Sequence, residues 1–143
     1  MLLVDSSVWM DWLRGAATDA VRFVQAREAV EEIALTQMIY LEVLQGVSSD
    51  RQFAECQRVL GAQTMLQPLD ALETFESAAQ LYRKARKKGL TVRKSTDCLI
   101  AAIALEQGAM LVHNDRNFLA LAQAEPALAI FPSQPFSGHP LTA

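Results

Sequence analysis

Short apolar runs and helical stripes alternate along the chain. Leu2-Leu3-Val4 is an apolar run ending at Asp5, and it predicts a buried strand. Ser6 and Ser7, both good N-caps, open a helix that runs through Arg14 and stops at Gly15. Helical spacing returns over about 18–30. Thr36 is placed to cap another helix, which holds Ile39, Leu41, Glu42, Val43 and Leu44 and ends at Gly46. Residues 50–60 have helical spacing as well. Met65-Leu66-Gln67-Pro68 predicts a short strand, because Pro68 suits a strand end better than a helix interior. The longest helical pattern is 70–88, with Asp70 as its cap and Leu72, Phe75, Ala79 and Tyr82 as an apolar stripe. Its basic residues gather at the C-terminal end, where the dipole favours them, and Gly89 closes it. Ser95 or Thr96 opens a helix over 97–107 that ends at Gly108. Strands at 110–113 and 128–131 flank a short helix at 117–123.

Strands separated by helices predict an α/β protein, a three-layer α/β/α sandwich with a mostly parallel sheet. No repeat or linker divides the chain. The expectation is one domain over 1–132 and a loose tail over 133–143, rich in Pro, Ser and Gly.

Composition supports a globular chain of 143 residues, 51% hydrophobic and 20% charged. No apolar run approaches the roughly 18 residues of a membrane span. The start, Met-Leu-Leu-Val-Asp, lacks the basic region and long apolar segment of a signal peptide. Cys56 and Cys98 form neither a metal spacing nor a disulfide framework, so a reducing, cytoplasmic setting is expected.

Charge changes the picture more than composition does. The formal net charge is −3, yet seven of the 13 basic residues lie between Arg83 and Lys94. No acid occurs from Ser77 to Thr96, and the rest of the chain sets six bases against all 16 acids. One basic patch on an acidic body can attract a phosphate backbone, or can be the solvated face of a long helix.

Four acids are the candidate chemistry. In open parallel sheets, ligands bind beyond the carboxyl ends of the strands. Asp5 and Asp115 each follow a predicted strand, so both belong to one edge. Asp97 lies in the first turn of a helix, and Glu42 sits in an apolar helix where it needs a partner or solvent. Each has a plainer alternative: helix entry for Asp5, dipole compensation for Asp97, a turn for Asp115 and an amphipathic edge for Glu42. Converging carboxylates repel one another unless a cation sits among them, and Mg²⁺ or Mn²⁺ is the natural partner for oxygen ligands. Such an ion can lower the pKa of a bound water and orient it towards phosphorus.

The segments Leu3-Val4-Asp5-Ser6-Ser7-Val8-Trp9 with Trp12-Leu13-Arg14-Gly15, Glu42-Val43-Leu44-Gln45-Gly46, Ser95-Thr96-Asp97-Cys98-Leu99-Ile100-Ala101-Ala102 and Leu111-Val112-His113-Asn114-Asp115-Arg116-Asn117-Phe118 carry a resemblance. In this order and spacing the chain resembles the PIN-domain family and, within it, the VapC toxins of bacterial toxin–antitoxin pairs. Each motif alone is weak; together they span residues 2 to about 131 and are specific. The resemblance implies a three-layer α/β fold, Mg²⁺- or Mn²⁺-dependent endoribonuclease activity, a homodimer, and inhibition by a cognate antitoxin. It carries Asp5, Glu42, Asp97 and Asp115 over as the catalytic cluster, with Asp5 and Asp97 as main metal ligands and Asp115 and Glu42 completing the shell or positioning water. Ser7 and Asn114 match supporting polar positions. Family members often have a further acid two residues after the fourth, and here that position is Asn117.

Arg93, Lys94 and Arg116 lie nearest the acids in sequence and are candidate phosphate contacts. Trp9 and Trp12, on one helix face, read as core or dimer contacts rather than base-stacking platforms. Cys98 reads as packing, His113 as structural, and His139 carries no signal. Two other function classes compete. One is a non-catalytic binding module that holds a partner protein. The other is a phosphatase-like phosphoryl transfer with Asp5 as nucleophile, which in haloacid-dehalogenase-like enzymes needs a second acid where Ser7 stands.

Overall fold

The computed structural model describes residues 1–134. Of the tail expected to be loose, 133–143, the part from position 135 on, His139 included, lies outside the described residues.

The apolar run Leu2–Val4 is β1, fully buried, and it occupies the centre of an all-parallel sheet. The other strands are β2 (Ile33–Thr36), β3 (Thr64–Leu66), β4 (Met110–Val112) and β5 (Ile130–Phe131). Their order is β3-β2-β1-β4-β5. In register, Leu3 pairs with Ala34 on one side and Leu111 on the other. Leu3, Val4, Leu111 and Val112 have no exposed surface, and burying each contributes roughly 1.5–3 kcal/mol.

Among the described residues, seven helices connect the strands: α1 (Ser6–Leu13), α2 (Asp19–Gln25), α3 (Gln37–Gln45), α4 (Asp50–Gly61), α5 (Ala71–Lys87), α6 (Ser95–Gln107) and α7 (Arg116–Ala124). The first four pack in sequence, α1 on α2 and α3, and α3 on α4. The last three pack on one another, α5 on α6 and α7. Two helical layers on a parallel sheet follow from right-handed crossovers whose direction reverses. The chain winds from β1 out to β3, then returns past β1 to β4 and β5. The reversal falls between β1 and β4, the place where such sheets open a crevice at their carboxyl edge.

Local signals account for most helix ends. Thr36 Oγ1 accepts from the Ile39 N–H and Asp70 from the Glu73 N–H, both as expected from the caps. Gly108 adopts the left-handed conformation, φ 65°, that ends α6.

Several expectations are corrected. Asp5, rather than Ser6 or Ser7, caps α1. Neither Ser95 nor Thr96 caps α6: Lys94 holds the cap position and its side chain makes no capping bond. The helix expected over 18–30 ends at Gln25, and the following Ile33-Ala34-Leu35-Thr36 is a strand that the pattern had not revealed. It is four residues long, contains Ala34, and runs directly into the cap of α3, so it reads as a helix approach. The α5 stripe is also different. The buried residues are Thr74, Ala78, Leu81 and Ala85, while Leu72, Phe75 and Tyr82 are 72%, 55% and 38% exposed. Small side chains let α5 lie close against the alanine-rich α6, and the larger ones are left facing outward.

Among the described residues, no helix is long and apolar enough to cross a membrane. Cys56 and Cys98 are free and buried, and burial pushes the Cys98 thiol up to about 11, as a packing residue requires. Trp9 and Trp12 stack on each other at 5.4 Å, with Trp9 buried in the core.

Candidate active site

The carboxyl ends of β1 and β4 are held in register beyond the strands themselves. The Asp5 N–H donates to the Val112 carbonyl at 2.9 Å, which places Asp5 opposite the segment leading to Asp115. There a cavity of about 320 Å³ is lined by all four predicted acids, Asp5, Glu42, Asp97 and Asp115. Ser7, Asn114 and Lys94 line it too. Arg93 and Arg116 do not.

Each aspartate is braced. Asp5 Oδ2 accepts from the Ser7 N–H at 3.1 Å and the Ser7 hydroxyl at 2.6 Å. The Ser7 oxygen in turn accepts from the Asn114 N–H at 3.0 Å, tying α1 to the loop after β4. Asp115 caps α7 by accepting from the Asn117 N–H at 2.9 Å. Asp97, in the first turn of α6, accepts from the Asn117 side-chain NH₂ at 2.8 Å. Glu42, on α3, contrasts with these: its Oε1 is buried with no hydrogen-bond partner.

His113 is fully buried and sets the loop between β4 and α7. Its Nδ1 accepts from the Asp115 N–H at 3.1 Å, so the proton lies on Nε2, which donates to the Pro132 carbonyl at 2.8 Å. Burial pushes its pKa down and keeps the ring neutral.

The carboxyl groups are held in an environment that resists their charge. Burial, opposed by the Ser7 bonds and reinforced by Glu42 and Asp115, raises Asp5 to about 6. Burial, opposed by the Asn117 bond and reinforced by Asp5 and Asp115, raises Asp97 to about 6. Glu42 is pushed up by burial and by Asp97, while the Lys94 ammonium pulls it back. Such a group of acids suits a cation.

The donor set is oxygen only, and the bare Glu42 oxygen is an unfilled acceptor. Both fit a hard divalent ion. Among the described residues, no three His, Cys or acidic side chains stand in an arrangement that could by itself hold a metal ion. The fit is therefore to an ion such as Mg²⁺ that keeps most of its waters and takes one or two carboxylates together with phosphate oxygens.

Five residues of the pocket, Ser6, Met10, Asp11, Arg14 and Gln45, were not anticipated from sequence. Asp11 accepts from the Asn114 side chain at 3.3 Å and pairs with Arg14 at 2.9 Å, and Gln45 lies one turn beyond Glu42. The signal for Asp11 was available: it lies four residues after Ser7, on the same face of α1. Arg14 and Met10 also line a neighbouring groove of about 340 Å³ with Leu13, Val43, Val47 and Cys56.

The basic run divides in two. Lys84 pairs with Glu125 at 3.2 Å, and Lys88 donates to the Gln123 and Ala124 carbonyls, so both staple α5 to α7. Lys94 instead reaches the acid cavity.

Comparison with known proteins agrees with this architecture. The PIN domain family pattern matches residues 2–124. The VapC ribonuclease Mb1587 of Mycobacterium bovis is 37% identical over 127 residues, covering 86% of this chain and 92% of the relative. Ribonuclease VapC11 of Mycobacterium tuberculosis matches to the same extent. Among solved structures, VapBC2 from Rickettsia felis bound to a promoter DNA fragment superposes with a TM-score of 0.68 at 16% identity, covering 90% of this chain and 96% of that one. FitAB bound to the IR36 DNA fragment gives 0.66 at 18% identity, covering 97% and 100%.

Proposed function

The chain belongs to the PIN-domain family, and from that premise we propose that it is a divalent-metal-dependent endoribonuclease, the toxin of a toxin–antitoxin pair. The observation that carries this reading is the gathering of Asp5, Glu42, Asp97 and Asp115 around one cavity at the sheet's reversal point. That its curated relatives are ribonucleases supports RNA as the substrate.

In this reading one or two of Asp5, Asp97 and Asp115 would hold Mg²⁺ or Mn²⁺ together with phosphate oxygens of the RNA, and Glu42 would orient the attacking water with its unpartnered oxygen. A bound divalent ion supplies charge stabilisation at phosphorus and a more acidic water. Ser7 and Asn114 fix the Asp5 carboxylate. Lys94, at the rim, meets a phosphate oxygen of the RNA. Arg93 and Arg116, exposed outside the cavity, contact phosphates further along the strand. Ser7, in the position where an aspartyl-phosphate enzyme needs an acid, donates a hydrogen bond to Asp5 and carries no carboxyl group to serve as one.

We further propose two protein partners. An antitoxin occupies the groove beside the acid cavity, as a counterpart to the complexes in which similar folds are found. A second copy of the chain covers the exposed Leu72, Phe75 and Tyr82 of α5, forming a homodimer. The setting is cytoplasmic, where the free thiols stay reduced.

The deciding experiment is cleavage of total RNA by the purified protein with and without Mg²⁺, with Asp97→Asn as control and the RNA ends sequenced. Metal-dependent cuts absent from the control are expected. Equal cutting by both proteins, or none by either, would reject the nuclease in favour of a binding module.

A further inference from the structure

Ser7, Met10, Asp11 and Arg14 recur at helical spacing along α1 and its C-cap, and all four line the acid cavity, so one face of this helix is turned towards the acids. Among the described residues, the cations that line the cavity are Arg14 and Lys94. They come from different helical layers. Arg14 ends α1, which packs with α2 and α3, and Lys94 begins α6, which packs with α5 and α7. A strand whose phosphate sits among the acids therefore meets a cation from each layer.

Arg14 differs from an ordinary surface ion pair in what holds it. Its Nη2 donates to Asp11 Oδ1 at 2.9 Å, and the Asp11 side chain is only 14% exposed. Asp11 Oδ2 accepts from the Asn114 side-chain NH₂ at 3.3 Å, and the Asn114 N–H donates to the Ser7 hydroxyl that braces Asp5. The guanidinium is thus carried on the hydrogen-bonded chain that fixes the first acid. It spends one N–H on Asp11, and its remaining donors meet no acceptor among the described residues. Arg58 is the contrast: it spends two N–H groups on Glu55, itself an exposed and untethered acid. A guanidinium fastened at one corner, with its other donors open, presents a planar fork that matches two oxygens of a phosphate.

We infer that Arg14 is a substrate-positioning residue: it holds a phosphate of the RNA next to the one that is cut, on the α1 side of the cavity, as the counterpart of Lys94. The inference rests on the reading of the chain as a ribonuclease. Asp11 sets the place of the guanidinium and, being paired with it, adds no net charge beside the acids. No proton or bond passes through Arg14, so its loss weakens the hold on RNA and leaves the chemical step alone.

The test is the steady-state kinetics of the full chain in Mg²⁺ on a short end-labelled RNA that spans a cut site mapped in total RNA, repeated over a series of KCl concentrations. Arg14→Ala should raise KM about tenfold and keep kcat within about twofold. Its plot of log KM against log[KCl] should be shallower by about 0.7, the share of one phosphate contact on a single strand. Arg14→Lys, which keeps the charge and loses the fork, should keep the wild-type slope with an intermediate KM. Arg14→Ala also leaves Asp11 unpaired, and the charge-balanced double variant Asp11→Asn with Arg14→Ala separates the two effects. It should keep the raised KM. A wild-type KM in the double variant would mean that repulsion from Asp11 raised it, and would overturn the inference. So would a KM within twofold of wild type in Arg14→Ala, an unchanged salt slope, or a loss confined to kcat. A wild-type chain that cuts no RNA removes the ribonuclease reading and the inference together. One that cuts while Arg14→Ala matches it in KM and slope removes the inference alone.

Discussion

Asp5, Asp97 and Asp115 each accept a short hydrogen bond from a neighbour that is itself anchored, whereas across the cavity Glu42 presents a buried oxygen with no donor. The first three stand at element ends, where unpaired N–H groups and small polar side chains are at hand. Glu42 stands inside α3, between Leu41 and Val43, where backbone donors are already spent on the helix. The contrast separates two tasks. The braced side is built before any ligand arrives, and the bare side is completed only by what enters.

The comparison breaks most sharply if the braced carboxylates are neutralised. Asp5→Asn or Asp97→Asn preserves shape and the accepting oxygen but removes a charge that a divalent ion needs. RNA cleavage should fall by a factor on the order of 10³ or more, since metal-centred charge stabilisation amounts to several kcal/mol. Cleavage within tenfold of wild type would mean that these two acids are not ligands.

A second test uses pH in the metal-free protein. Asp5 and Asp97 titrate near 6 when folded against 3.8 as unconstrained groups, so the folded state binds more protons between those values. The sign follows: their contribution is fully present below about pH 4, is lost as pH rises to about 6, and is flat above. At about 1.4 kcal/mol per pKa unit, each group accounts for on the order of a few kcal/mol. In chelator, Tm should therefore decline across that window, and Asp5→Asn should flatten the decline. Added Mg²⁺ should raise Tm by several degrees above pH 6 and hardly at all at pH 4.

Ser7→Ala gives a smaller effect. It removes the 2.6 Å bond to Asp5 and the acceptor for Asn114, so Mn²⁺ affinity should drop about 10- to 100-fold while the fold persists. Glu42→Gln, on the bare side, should lower the cleavage rate but change Mn²⁺ affinity less than Ser7→Ala does. A larger loss of affinity in Glu42→Gln would reverse the assignment of the two sides. Smallest of all, Lys94→Ala should raise KM a few-fold with kcat nearly unchanged, because an exposed cation at the rim contributes about 1 kcal/mol or less.

Much of this was readable in the sequence. The runs Leu2–Val4 and Met110–Val112 are dense enough in large apolar residues to declare buried strands, and the acids that follow them inherit their position from the sheet. Glu42 and Asp97 joined the same cavity because α3 and α6 start at that edge. Periodicity failed where burial was decided by fit rather than by apolarity. On α5 two stripes satisfy helical spacing, and the one made of Thr74, Ala78, Leu81 and Ala85 is buried because it permits close approach to α6. β2 was missed because its four residues carry no alternation of their own. Arg93 was chosen by proximity in sequence, yet only its backbone reaches the network, through Asn117, a distinction that adjacency along a chain does not encode.

The bond from the Asn114 N–H to the Ser7 hydroxyl spans 107 positions. It has a temporal side. Ser7 is synthesised well before its partner, which follows only after the intervening strands and helices from β2 to α6 have been made. Closing so long a loop comes late in folding and depends on sheet pairings of similar range. Asp5 therefore spends synthesis beside an incomplete sheet edge, and the acid cavity takes shape only after β4 has docked. A chain cut short before residue 110 should bind no Mn²⁺, because the sheet edge that carries Asp5 would lack β4 beside it.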